Sequence, residues 1–242
     1  MQPLRVLGSL VSLAALMAAA RLSAADPTPT VEGTPVPHTP DASGWIRLFD
    51  GKTLDGWVQK GGKAKYRVED GMIIGTCVTN TPNSFLCTRR EFTNFVLELE
   101  YKVDNGLNSG IQIRSHCFDR PTSFKANDRE YRIPAGRVHG LQVEIDTSDR
   151  AWSSGIYEEG ARGWLNDLKN NEPARKAFKA GEWNRVRLEC HGESINSWLN
   201  DVPAADLKDS RVMSGFIGLQ GHGVKQDKLM EVRFREIRLI EH

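Results

Sequence analysis

Phe95, Leu97, Leu99, Tyr101 and Val103 alternate with Val96, Glu98, Glu100 and Lys102, the period of two expected of a strand with one face in a core. The same alternation recurs wherever the chain is apolar. Ile111 and Ile113 alternate with Gln112 and Arg114, and Leu141, Val143 and Ile145 with Gln142, Glu144 and Asp146. Val186 and Leu188 alternate with Arg185, Arg187 and Glu189. Short segments of this kind, separated by Gly, Asn and Asp, predict an all-β fold of two packed antiparallel sheets, each strand keeping one apolar face in and one polar face out. The pattern breaks from Gly155 to Ala180, where Glu172 to Lys179, with Pro173 near its start, predicts a short helix in a long loop over the sheet edge.

The first 25 residues carry no such pattern. Arg5, an apolar run from Val6 to Ala20 and the small residues Ser23-Ala24-Ala25 predict a secretory signal peptide. The run is shorter than a bilayer span, so the mature protein is expected in the periplasm or outside the cell, without a membrane-spanning segment. Residues 26–43, with Pro27, Pro29, Pro35, Pro37 and Pro40, predict an extended linker. Residues 44–242 then form one domain, long enough for a single sizeable core. A net charge of +1 supplies no footprint for nucleic acid or an anionic membrane and suits a neutral polar ligand. The four cysteines of an exported chain permit disulfides, Cys77 with Cys87 being preferred and buried free thiols the alternative.

Five blocks of sequence carry a resemblance. They are Leu48-Phe49-Asp50-Gly51-Lys52-Thr53-Leu54-Asp55-Gly56-Trp57, Asn108-Ser109-Gly110-Ile111-Gln112-Ile113-Arg114, Gly140 to Asp146, Gly218-Leu219-Gln220-Gly221-His222-Gly223 and Val232 to Leu239. In this order they resemble the DUF1080 family, also called the 3-keto-disaccharide hydrolase domain. The resemblance implies a jelly roll of the concanavalin A-like lectin and glucanase kind, with Asn200-Asp201 as a late hairpin turn. It also implies an enzyme that cleaves glycosides already oxidised to a ketone at carbon 3. That ketone acidifies the hydrogen on carbon 2, so a base can remove it and the group on carbon 1 can leave by β-elimination, with water then added back. Such a route needs a base, an electrophile at the carbon 3 oxygen and an acid for the leaving group.

Glu144 and Asp146 share a strand face about 7 Å apart and are candidates for acid, base or metal ligand. Glu144-Ile145-Asp146 also resembles the carboxylate strand of laminarinase-type glycosidases. Ser148 and Asp149 stand where that pattern needs a third carboxylate, so a double displacement is not assured. His222, which the resemblance places on the same concave face, is a candidate base, proton donor or metal ligand. Arg114, expected beside Gln112, is a candidate enolate stabiliser, a role a bound divalent cation would share. Asn108, Gln112, Gln142, Gln220, Tyr157 and Trp164 are candidate substrate contacts, the last two as platforms for a pyranose face. Trp45, Trp57, Trp183 and Phe216 are expected in the core. His116 and His139 flank the same sheet and are a further metal possibility. Three functions follow: a 3-keto-glycoside hydrolase or lyase, a noncatalytic lectin-like module, and a laminarinase-type hydrolase.

Overall fold

A computed structural model describes Met1, residues 39–225 and residues 228–242. The predicted signal peptide and most of the linker lie outside these residues. Among the described residues, seventeen strands and one helix follow in chain order. They begin with β1 (Ile46–Arg47), β2 (Trp57–Gly61), β3 (Lys65–Glu69), β4 (Met72–Thr76), β5 (Ser84–Phe92) and β6 (Phe95–Val103). Next come β7 (Ser109–His116), β8 (Thr122–Ala126), β9 (Arg129–Ile133), β10 (His139–Ile145), β11 (Ile156–Glu159) and β12 (Gly163–Asn166). After α1 (Glu172–Ala177) the chain closes with β13 (Asn184–His191), β14 (Ser194–Leu199), β15 (Val202–Lys208), β16 (Gly215–Gly221) and β17 (Glu231–Glu241).

Two antiparallel sheets pack face to face, as the alternation predicts. One runs β15-β14-β13-β6-β17-β4-β3 with β1 on β17; the other runs β12-β11-β10-β7-β16-β5-β2. The apolar sides of β6, β13 and β17 meet those of β7, β10 and β16 in one core that includes Leu97, Tyr101, Ile111, Val143, Leu188 and Phe234. Asn200 and Asp201 have φ of 50° and 67° and link β14 to β15, the left-handed pair a two-residue hairpin needs.

Several expectations change. The segment from Gly155 contains β11 and β12, which extend the second sheet beside β10 rather than looping over its edge. Its strands are short and mix Glu, Gly and aromatics, so alternation alone does not reveal them. Buried Glu158 pairs there with Arg162 and Arg211, while Arg162 Nη2 reaches Asp209 Oδ2 at 2.6 Å. Trp45 and Trp183 are half-buried, with Arg238 and Arg235 over their rings at 4.4 and 3.9 Å, whereas Trp57 and Phe216 are in the interior. All four cysteines are free thiols, and burial pushes Cys77 and Cys190 up to about 12. The outer face of the first sheet is turned to solvent and carries charge pairs centred on Glu98. The polar face of the second sheet is instead largely closed over, and β7, β10 and β16 are buried on both sides apart from His116.

Candidate functional site

That closed polar face holds a cleft of about 420 Å³. Its floor is built from glutamines that strand pairing brings side by side. Gln142 lies opposite Gln112, and Gln112 pairs with Gly218 on the other side. Ser115 Oγ donates to Gln112 Oε1 at 2.7 Å, Gln112 Nε2 to Gln142 Oε1 at 2.6 Å, and Gln142 Nε2 to Glu144 Oε2 at 2.8 Å. Gln220 Nε2 also donates to Gln142 Oε1, at 3.1 Å. The amides therefore all point their donors along one direction, which ends on the Glu144 carboxylate. Its other oxygen accepts from Asn108 Nδ2 at 2.6 Å.

Glu144 lines the cleft yet is only 6% exposed. Burial pushes its carboxyl above the ordinary glutamate range, and the Asn108 and Gln142 hydrogen bonds offset part of that rise. Gly110 makes the ladder possible: a Cβ there would sit 2.5 Å from Gln142 Cδ. His222 is also in the wall. Its Nδ1 lies 2.7 Å from the Gly223 carbonyl oxygen, which can only accept, so in the neutral ring Nδ1 carries the proton and Nε2 keeps its lone pair. Gly223 N donates to Asn83 Oδ1 at 3.0 Å, fixing this turn against the cleft rim.

Asp146 is not part of the cleft wall. It lies past the end of β10, and its side chain organises the following loop. Ser148 N and Oγ donate to Oδ1, Arg150 Nε donates to Oδ2 at 2.8 Å, and Trp152 N to Oδ2 at 3.1 Å. Burial alone would raise this carboxyl, but these donors outweigh it and hold Asp146 below the usual range. Its function here is to place Arg150, whose guanidinium lies in the cleft, 3.9 Å from Glu144 Oε1 and 5.0 Å above the Trp164 ring.

Arg114 departs further from expectation. It has φ +46°, and the pairing on both sides of β7 slips by one residue around it, a β-bulge. The extra residue reverses the facing of the chain, so Ser115 joins Gln112 in the cleft floor. Arg114 is fully buried elsewhere, donating to Thr93 O at 2.8 Å and Gly192 O at 2.7 Å.

Tyr157 and Trp164 line the cleft at one end, edge to face with centroids 5.4 Å apart. Asn108, Gln142 and Gln220 line it too, while Gln112 is buried beneath. The residues missed in the sequence are Asn83, Arg137, Arg150 and Glu159. Arg137 Nη2 donates to Glu159 Oε1 at 2.7 Å. Pairing of Tyr157 with Gln142 and of Glu159 with Gly140 puts these residues on the cleft face, a relation no local pattern encodes. The expected metal set does not assemble: both Asp146 oxygens are engaged by the loop, and no cluster of three or more His, Cys, Asp or Glu ligands occurs among the described residues. His116 and His139 sit 6.1 Å apart beside Phe118, outside the cleft wall.

Sandwich and cleft together define a β-sandwich protein of lectin-like fold. Similar folds occur in the carbohydrate binding module CBM66 from Bacillus subtilis (16% identity, 77% of this chain and 96% of that one, TM-score 0.51) and in a protein of unknown function with a galectin-like fold from the same organism (12%, 76% and 89%, TM-score 0.53). The chain belongs to the 3-keto-alpha-glucoside-1,2-lyase-like domain family, whose profile matches residues 44–240. It is 40% identical over 239 residues, 82% of this chain and 79% of the other, to a Bacteroides thetaiotaomicron protein named 3-keto-disaccharide hydrolase.

Proposed function

We propose that this protein is an exported enzyme that cleaves 3-keto-glycosides by proton abstraction, elimination and hydration. The observation that carries this reading is Glu144: a nearly buried carboxylate in a polar cleft, with its proton affinity raised by burial and both oxygens aimed by amide donors. Those features suit a base that must take a weakly acidic C–H proton near neutral pH. Family membership and the hydrolase relative support the substrate class.

In this reading Glu144 takes the carbon 2 hydrogen. The electron pair of that C–H bond forms the enolate, whose charge gathers on the carbon 3 oxygen. Arg150, held by Asp146 and stacked near Trp164, supplies the positive charge for that oxygen in place of Arg114. Collapse of the enolate breaks the bond from carbon 1 to the leaving oxygen, which takes up a proton as it departs. His222, in its doubly protonated form with Nε2–H facing the cleft, supplies that proton. Water then adds its hydroxyl to carbon 1 and gives its other proton to His222, while Glu144 returns its proton to carbon 2, completing a net hydrolysis with both groups restored. Gln220 Oε1 is buried and lacks a hydrogen-bond donor, and a sugar hydroxyl would satisfy it. Tyr157 and Trp164 give the ring an apolar face to rest on.

Two glutamates line this cleft, but the strand positions of Glu144 and of Glu159's partner Gly140 lie four residues apart, roughly 13 Å along β10. That offset disfavours the close carboxylate pair of a retaining glycosidase. The test is release of alcohol from a 3-keto-glucoside and from its unoxidised parent, by the wild type and by Glu144→Gln. Cleavage of the keto form alone, lost at least about 10³-fold in the variant while sugar binding persists, is expected. Equal cleavage of the parent would sink the elimination route; binding without cleavage of either would leave a lectin-like module.

A further inference from the structure

A second concavity of about 330 Å³ adjoins the cleft. The two share Asn83, Arg137 and Glu159 in their walls, so the Arg137–Glu159 pair forms their common border. Beyond it the lining changes character: exposed Pro82, Pro134 and Ala135 present carbon over buried Phe85 and Val138, where the cleft presented amides and carboxylates. Phe85 and Val138 are anchored in a small core of their own with Cys87 and Phe216, so this wall is built rather than incidental. Gly61 and Gly62 line its other side; a Cβ on Gly62 would lie 2.2 Å from Pro82 O, and the close approach of the two segments shapes the groove.

The geometry points to this groove as the site for the leaving group, which makes the protein selective for 3-keto-glycosides whose aglycone is apolar, an aryl or aralkyl alcohol. The inference rests on the elimination reading above. A sugar whose carbon 2 faces Glu144 has carbon 1 adjacent, and a substituent on carbon 1 must leave the polar cleft. The groove meets the cleft along the Arg137–Glu159 border, and its volume of about 330 Å³ admits a group the size of one ring. A hydrophilic second sugar would strand its hydroxyls against Pro82, Pro134 and Ala135, whereas an aromatic or alkyl group gains from leaving water.

Methyl and benzyl 3-keto-glucosides separate this from intrinsic reactivity, because the two alcohols leave with similar ease and differ mainly in apolar surface. The wild type is expected to favour benzyl over methyl in kcat/KM by about tenfold or more. Ala135→Trp, a change at an exposed position that fills the groove, should bring that ratio towards one by lowering kcat/KM for the benzyl glycoside. A wild-type ratio near one, or a ratio untouched by Ala135→Trp in a protein with normal melting behaviour, overturns the proposal. If neither glycoside is cleaved, the elimination reading fails while the groove remains testable: calorimetric affinities of the same pair for Glu144→Gln must still favour benzyl, and equal affinities overturn it.

Discussion

Adding one methyl group at Gly110 should disarm Glu144 without touching it. The backbone of Gly110 is not in the left-handed region, so Gly110→Ala introduces crowding alone. The new Cβ would stand 2.5 Å from Gln142 Cδ, 2.6 Å from Cγ and 2.8 Å from Nε2. Gln142 cannot swing away cheaply, since it is 2% exposed and tied to Gln112 and Gln220. Overpacking of this kind costs about 1–3 kcal/mol, or roughly 3–10 °C in Tm for a domain of this size. Displacing Gln142 removes its donation to Glu144 Oε2. A hydrogen bond to a charged group is worth about 1.5–3 kcal/mol, and losing one that the ionised form accepts raises the Glu144 carboxyl further above the ordinary glutamate range. The base works ionised, so a higher proton affinity moves the acid limb of the rate profile upward. Misplacement of the carboxylate should also lower kcat about 10²-fold. The assay is kcat against pH, between about pH 5 and 9, on a 3-keto-glucoside, with a thermal melt of the same protein. A folded variant with kcat within about twofold of wild type would refute the ladder as the support of the base. A drop in kcat with an unmoved acid limb would show that the effect bypasses Glu144.

Arg114→Ala should strip hydrogen bonds from the Thr93 and Gly192 carbonyls and cost about 2–4 kcal/mol, seen as a Tm lowered by roughly 5–15 °C; kcat of the surviving folded fraction should hold, and an unchanged Tm with collapsed kcat would return Arg114 to the site. At Glu98, burial alone would raise the carboxyl, but hydrogen bonds from Arg238 and Arg187 and the charge of Arg185 hold it below the ordinary range. Such a group stabilises the fold above its unfolded pKa and loses that contribution as pH falls through the lower folded value. Because the three arginines are partly exposed, the contribution is discounted to about 1–2 kcal/mol. Melts should therefore show Glu98→Gln less stable than wild type at pH 7, with the gap closing below about pH 4; a gap constant across that range would count against the ion cluster.

Alternation in the sequence alone determined the central strands, the sandwich and the inward set running through Leu97, Ile111, Val143 and Leu188, because burial of one strand face imposes a period of two whatever lies across from it. The five blocks likewise carried the family, and Asn200-Asp201 carried a turn whose backbone favours those residues. Facing is transmitted along a strand only while the strand is regular. At Arg114 and at Glu236, both with positive φ, a bulge shifts the count, so Ser115 takes the place expected for Arg114, and Ile237 is buried three residues after Phe234. Neighbours across strands belong to tertiary structure as well. The register of β11 on β10 brings Tyr157 and Glu159 to the cleft, and loop packing brings Asn83, Arg137 and Arg150. Asp146 and Glu144 look equivalent in sequence, two residues apart on one polar face. Only the fold separates them, by ending the strand between the two: one carboxylate becomes saturated by its own loop, and the other stays in the cleft at the end of a ladder of amides.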